Sequence, residues 1–261
     1  MTKGQKAAKF LNSESYLQQF WPKDPKSTSV WKENKWLLEQ YVACAKILNN
    51  TGHRNLKAVE ISAGPILAPL IPFTYLFDEI QLSDYDSTNR EILSKGDISY
   101  WSDYIKEIFQ IEKEHFDNEK LKNRLQKLDE LRSKSTIAYV DIKRESKQIF
   151  NPPLVYTDYN FYIMHFVVDS ITDSKDSYFE LLESVIRKTL KKSDLFLMSA
   201  LVECTTWDDG EKTYPAANTR TTEIITELEL LGLKIIFSNE KIHKAGIGHD
   251  GGFAVILSQY I

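Results

Sequence analysis

The chain is short of cysteine, of positive charge and of long apolar runs, and each shortage removes a class of protein. Only two cysteines, Cys44 and Cys204, occur in 261 residues. Far apart and in neither metal-ligand nor redox spacing, they fit reduced thiols in a cytosol better than a disulfide framework, and no metal is expected. No apolar stretch approaches the roughly 20 residues that span a bilayer. The opening MTKGQKAAKFLNSES lacks the apolar heart of a signal peptide. Lys and Arg number 33 against 37 Asp and Glu, a net charge of −4. That balance argues against a dedicated nucleic-acid binder, which carries a basic surplus. The expectation is a soluble cytoplasmic protein whose partner is a small molecule rather than nucleic acid or membrane.

What is present is an ordinary globular balance, 42% hydrophobic and 27% charged, enough for one domain to bury a core without staples. Residues 6–50 carry apolar positions at three- and four-residue steps, as in a helix. Among them stand Phe10, Tyr16, Phe20, Trp21, Trp31 and Trp36, aromatics suited to core packing or to a lid over a ligand. Beyond residue 56, strands at 56–61, 79–84, 136–142, 160–168, 194–202, 233–237 and 253–260 alternate with helices near 66–77, 87 onward, 101–134, 175–191 and 220–231. Ser87 or Thr88 is expected to cap the helix after the second strand, and 203–219 reads as a polar loop. Such alternation predicts a Rossmann-like α/β fold, a seven-stranded, mostly parallel sheet with helices on both faces. Residues 1–52 form the expected helical cap and 53–261 the core of one domain.

Ligands of such sheets bind beyond the carboxyl ends of the strands, where strand order reverses. Three strand ends share a feature here. The first is Glu60-Ile61-Ser62-Ala63-Gly64, whose small turn lets the backbone approach a ligand. The second is Asp84-Tyr85, a carboxylate able to accept both hydroxyls of a ribose. The third is Val140-Asp141-Ile142, able to accept the exocyclic amine of adenine. Together they describe an adenosine pocket. The G-x-G-x-x-G of a dinucleotide fold is missing after the first strand.

In these blocks the chain resembles the class I S-adenosylmethionine (SAM)-dependent methyltransferases that include nicotinamide, phenylethanolamine and indolethylamine N-methyltransferases. The resemblance runs over most of the chain, through Tyr16-Leu17-Gln18-Gln19-Phe20-Trp21, Glu60-Ile61-Ser62-Ala63-Gly64-Pro65, Asp84-Tyr85-Asp86-Ser87-Thr88-Asn89, Val140-Asp141-Ile142 and His165-Phe166-Val167-Val168-Asp169. It implies a SAM pocket made by Tyr16, Trp21, Glu60, Ser62, Gly64, Asp84, Tyr85, Asn89, Asp141, Ile142 and His165, with S-adenosylhomocysteine as product. In that scheme Asp84 binds the ribose, Tyr85 stacks near the adenine, and Tyr16 meets the methionine carboxylate. The chain departs from the family at Ser62, where a glycine is usual, at His165, where a small hydroxyl residue is usual, and at Lys192-Ser193-Asp194, which replaces a P-G-G turn.

Methyl transfer from a sulfonium is an in-line displacement that asks mainly for alignment and exclusion of water, worth roughly 7–11 kcal/mol through proximity alone. Carboxylates near the acceptor can orient an amine or take its proton. The resemblance points to Asp169 and Asp250 as catalytic candidates. Phe20, Asp169, Glu203, Trp207, Tyr214 and Asp250 would line the acceptor side, with Trp207 and Tyr214 either an aromatic wall or loop packing. The expected reaction is N-methylation of a small amine or nitrogen heterocycle. S- or O-methylation and a catalytically inactive SAM-fold sensor or partner subunit are the alternatives. In His249-Asp250-Gly251-Gly252 the glycines suit a hairpin turn.

Overall fold

Short apolar strands become the centre of this fold because successive side chains point to opposite faces, and helices cover both. The computed structural model describes residues 13–135, 137–143, 149–151, 158–208, 213–242 and 250–261. Phe10, Thr136, His249 and the expected helical residues 6–12 lie outside the described residues. Strands β1 (Leu56–Glu60), β2 (Phe77–Asp84), β3 (Ala138–Val140), β5 (Phe161–His165) and β6 (Leu195–Val202) run parallel. β10 (Gly252–Tyr260) returns antiparallel between β6 and β9 (Leu233–Ile242). The order β3-β2-β1-β5-β6-β10-β9 is the expected seven-stranded sheet, extended at one edge by the two-residue β4 (Phe150–Asn151).

Alternation along each strand divides the core in two. Ala58, Phe161, Ile163, Leu195 and Leu197 face one layer, with Leu38, Leu48, Ile71, Ile105 and Leu128. That layer is built from α2 (Trp31–Asn50), α4 (Ser102–Glu112), α5 (Asn118–Lys134) and a 3-10 turn at Ala68–Phe73. Val59, Tyr162, Met164, Phe196 and Met198 face the other, with Val168, Leu182, Ile186, Ile224 and Leu228. Those come from α6 (Val167–Ile171), α7 (Lys175–Thr189) and α8 (Thr221–Leu230). Two short helices add to the first layer: α3 (Ser87–Lys95), which follows β2 and buries Leu93, and α1 (Ser13–Phe20), whose Tyr16, Leu17 and Phe20 pack against it.

Several elements differ from expectation, each for a local reason. The helix expected at 66–77 is the 3-10 turn Ala68–Phe73, because Pro69 and Pro72 withhold backbone donors that an α-helix needs. The long helix expected over 101–134 breaks at Lys113, which takes a left-handed φ of 59°, and Asp117 restarts it by accepting from the Lys120 backbone at 2.7 Å. Asp86, rather than Ser87 or Thr88, caps α3, accepting from Thr88 N at 2.7 Å and Asn89 N at 3.2 Å. The fourth expected strand stops at His165, since Phe166 turns left-handed at φ 52° and opens α6. The polar segment 203–219 contains a two-stranded ribbon, β7 (Thr206–Asp208) and β8 (Thr213–Pro215). β9 continues to Ile242, past the expected end at 237. Among the described residues, no helix is long and apolar enough to cross a membrane.

Gly251 is required by close approach. A Cβ there would lie 2.6 Å from the Glu203 carbonyl oxygen and would press on that of Val202. Gly251→Ala is expected to destabilise the protein by about 1–3 kcal/mol, the scale of overpacking. Gly52→Ala, where nothing lies within 4 Å but φ is 83°, should cost about 1–2 kcal/mol from backbone strain alone. Urea unfolding of both variants measures the difference.

Candidate active site

Because β1, β2, β3, β5 and β6 are parallel, their last residues meet along one edge: Glu60, Asp84, Val140, His165 and Val202. β2 and β5 flank β1 on opposite sides. The connectivity therefore reverses at β1, the position where sheets of this kind take their ligands, above the strand ends.

Asp84 is the best-defined group on that edge. It is 5% exposed, and its carboxylate ties two turns together. Oδ2 accepts from Gly64 N at 2.8 Å, in the turn after β1. Oδ1 accepts from Asp86 N at 2.8 Å and from Asn89 Nδ2 at 3.1 Å, in the turn and helix after β2. Desolvation pushes the Asp84 carboxyl up from the ordinary carboxylate value, and these three donors oppose the rise. Gly64 sits at φ 61°, with nothing within 4 Å of a built Cβ, so the space above the turn is open.

Beside it lies a buried polar cluster. Glu60 is 1% exposed, and neither carboxylate oxygen has a hydrogen-bond partner among the described residues. His165 Nε2, likewise without one, is 3.8 Å from Glu60 Oε1. That separation is too long for a hydrogen bond. Desolvation raises the Glu60 carboxyl well above its usual range and lowers the His165 imidazole to about 3. Both shifts run toward the uncharged form and so oppose an ion pair. On its other side, His165 Nδ1 meets the Tyr41 hydroxyl at 3.2 Å and Ser199 Oγ at 3.1 Å, and those two hydroxyls are 2.9 Å apart. Neither Tyr41 nor Ser199 was singled out from sequence. The available signals were a serine alone in the apolar run Leu195-Phe196-Leu197-Met198-Ser199-Ala200 and a tyrosine on the buried stripe of α2.

The helix α1 crosses this edge. At its start, Ser13 Oγ donates to Asn89 Oδ1 at 2.7 Å. Further along, Tyr16 is close enough to Tyr41 to raise that phenol's pKa, an effect smaller than burial itself. Burial pushes the Tyr16 hydroxyl up to about 12, against the Trp21 indole N–H that donates to it. Tyr16 packs on Phe20 with ring centroids 5.1 Å apart. The aromatics of the opening segment are thus divided. Trp21 is core, against Tyr104 at 5.6 Å, whereas Tyr16 and Phe20 are partly buried and pack against that core from outside.

On the opposite flank, Tyr85 is 45% exposed and leans on Tyr139 at 5.3 Å between centroids. Asp141 accepts from Lys143 N at 3.1 Å, and Ile142 next to it is buried. On the acceptor side, Glu203 is exposed at the end of β6 with a left-handed φ of 51°. Asp250 holds the ribbon. It accepts from Thr205 N at 2.7 Å, from Thr206 N at 3.0 Å and from the Thr205 hydroxyl. Desolvation raises its carboxyl, but these bonds together outweigh it and hold the pKa at about 2. Trp207 and Tyr214 are cross-strand partners in the ribbon, stacked 4.6 Å apart at 20°. Asp169, in α6, is 3% exposed, and its Oδ2 has no hydrogen-bond partner among the described residues. Burial raises its carboxyl to about 8, against backbone hydrogen bonds from its own N–H and from Leu201.

The family model for NNMT/PNMT/TEMT proteins matches residues 1–259. The chain belongs to the NNMT/PNMT/TEMT family. It is accordingly a SAM-dependent methyltransferase by family. A search of curated proteins returns no match. Among solved structures the chain is similar to a SAM-dependent methyltransferase from Methanosarcina mazei, at 14% identity and a TM-score of 0.47, over 82% of this chain and 97% of that one. It is also similar to a 1,6-didemethyltoxoflavin-N1-methyltransferase from Burkholderia thailandensis, at 10% identity and a TM-score of 0.47, over 89% and 81% of the two chains. Likeness of that degree carries no argument about chemistry, and the assignment rests on the family match.

Two departures from the NNMT/PNMT/TEMT pattern keep a glycine-like backbone. Ser62 sits at φ 56° and Ser193 at φ 78°, each a strain on the order of 1–2 kcal/mol for a residue bearing a Cβ. Glycine also makes the unfolded chain more flexible, which offsets part of the relief. Ser62→Gly and Ser193→Gly should therefore each stabilise the protein by up to about 1 kcal/mol in chemical unfolding. Asp169 supplies a pH test. Its folded-state pKa of about 8 lies above the 3.8 of a free carboxyl, so the folded state binds the extra proton. The stability this provides is full below pH 4 and is lost as pH rises through 8. The parent's melting temperature should fall between pH 5 and 9, and Asp169→Asn should flatten that fall.

Proposed function

We propose that this chain transfers a methyl group from SAM to a small amine or nitrogen heterocycle, using the Asp84 edge for the cofactor and the Glu203–Asp250 side for the acceptor. The observation that carries the cofactor half is the Asp84 carboxylate, buried yet fixed between the Gly64 turn and the Asn89 helix. The surrounding residues fit the group. Open space lies above Gly64, and the two buried oxygens of Glu60, without partners among the described residues, suit a donor such as an α-ammonium. Tyr85, Asp141 and Ile142 would hold the base, and Tyr16 with Phe20 would cover the site.

Bound there, SAM would supply a methyl group on a sulfonium, an electrophile needing no further activation. The protein's work is then to align and to exclude water. The cover made by α1 serves exclusion. Glu203 and Asp250, carboxylates at neighbouring strand ends, would draw a cationic amine and orient it. Glu203 is exposed to a proton on its way out. Asp250, its carboxyl at about 2, stays anionic across the working range and also pins the Trp207–Tyr214 ribbon beside the acceptor. A cationic amine is drawn by two carboxylates where a neutral thiol or hydroxyl is not, which favours a nitrogen acceptor.

Calorimetric titration with SAM tests the proposal. The parent should bind in the micromolar range, and Asp84→Ala should lose about 2–3 kcal/mol, roughly 100-fold, as charge-assisted bonds disappear. Methyl transfer to amines and heterocycles should then exceed transfer to thiols and hydroxyls. A folded parent that binds no SAM would remove the cofactor half. Preferential methylation of a thiol would remove the acceptor half.

A further inference from the structure

The cover and the Asp84 carboxylate are joined by an unbroken line of hydrogen bonds. Ser13, at the start of α1 and 2% exposed, donates through Oγ to Asn89 Oδ1 at 2.7 Å. Asn89 in turn donates through Nδ2 to Asp84 Oδ1 at 3.1 Å, and Asp84 Oδ2 accepts from Gly64 N at 2.8 Å. The line thus crosses from the cover, through α3 and the end of β2, to the turn after β1.

An Asn side chain can present either its oxygen or its amide nitrogen to a neighbour, and the network around it decides which. Here Ser13 decides. With a hydroxyl donor on Oδ1, the amide nitrogen must face Asp84. Without that donor the amide is able to turn, and its flipped form would set a carbonyl oxygen against the carboxylate. A carboxylate offers about four lone-pair positions, and three are taken by Gly64, Asp86 and Asn89. The direction of the position that remains, and the ease with which buried Asp84 stays ionised, therefore depend on how Asn89 is turned.

We propose that Ser13 is a positioning residue of the cofactor site, acting through Asn89 on Asp84, so that docking of α1 and occupation of the ribose position strengthen one another. The inference rests on the reading of Asp84 as the ribose carboxylate. By linkage the effect is reciprocal: a cover that favours the bound nucleoside is favoured by it to the same degree.

A double-mutant cycle with S-adenosylhomocysteine as the titrated ligand tests this, using the full chain. Ser13→Ala removes one oxygen and should leave the thermal unfolding transition nearly unchanged. It is expected to weaken S-adenosylhomocysteine binding about five- to tenfold, the order carried by one hydrogen bond. In an Asn89→Ala background the same substitution should have less than about a twofold effect, because the intermediary is gone. Ser13→Thr, which keeps the hydroxyl, should retain parent affinity. A role confined to packing of the cover would weaken binding equally in both backgrounds and would overturn the proposal. So would an unchanged affinity in Ser13→Ala, or a Ser13→Thr variant as weak as the alanine. If the folded parent binds no S-adenosylhomocysteine, the cofactor reading and this inference fail together. Binding without the Ser13 effect sinks the inference alone.

Discussion

The Asp84 carboxylate joins two turns across the end of the sheet, beside the bond from Ala63 N to the Ser83 carbonyl at 2.8 Å. One follows β1 and carries Gly64; the other follows β2 and leads into α3 through Asp86 and Asn89. A buried acid is costly unless donors surround it, and here all the donors come from those turns. Removing the carboxylate would leave the Gly64 N–H without its acceptor and would free the α3 terminus from the strand edge. The Gly64 turn and the start of α3 are both held at the strand edge by this clasp.

The rest of the edge is organised by what burial does to charge. Glu60 and His165 are both pushed toward their uncharged forms by the same desolvation, and they stand 3.8 Å apart. Tyr41 and Ser199 anchor the imidazole from α2 and β6, which ties the helical layer to the strand ends. At the far side Asp250 is treated oppositely. Hydrogen bonds from Thr205 and Thr206 outweigh its desolvation and keep it anionic. The edge thus offers unpartnered acceptors where the cofactor reading puts an amino-acid end, and fixed negative charge where it puts the acceptor.

The sheet was legible in the sequence because its strands are short apolar runs ended by small or acidic residues, and those ends are also where the candidate site lies. Glu60 and Asp84 could be found because a strand end has an address in the sequence, whereas His165, inside the strand expected to run to 168, came through the family resemblance alone. Less visible were features set by tertiary contact or by single dihedrals. The break at Lys113 sits in a charged stretch whose composition suits a helix throughout. Phe166 ends its strand by a left-handed turn that an aromatic residue does not advertise. Tyr41 and Ser199 are remote in sequence and meet only when α2 packs across β6. Ser13 lay outside every pattern, since its partner Asn89 is 76 positions away. Ser62 and Ser193 showed as departures from glycine, and the backbone kept the glycine conformation in both places.

The most direct measurement is a crystal structure of the complex with S-adenosylhomocysteine. The account predicts the nucleoside above the Ser62–Gly64 turn, with ribose hydroxyls on Asp84 and the amino-acid end against Glu60 and His165. A ligand elsewhere in the molecule, or an Asp84 carboxylate still bound only to Gly64, Asp86 and Asn89, would contradict it.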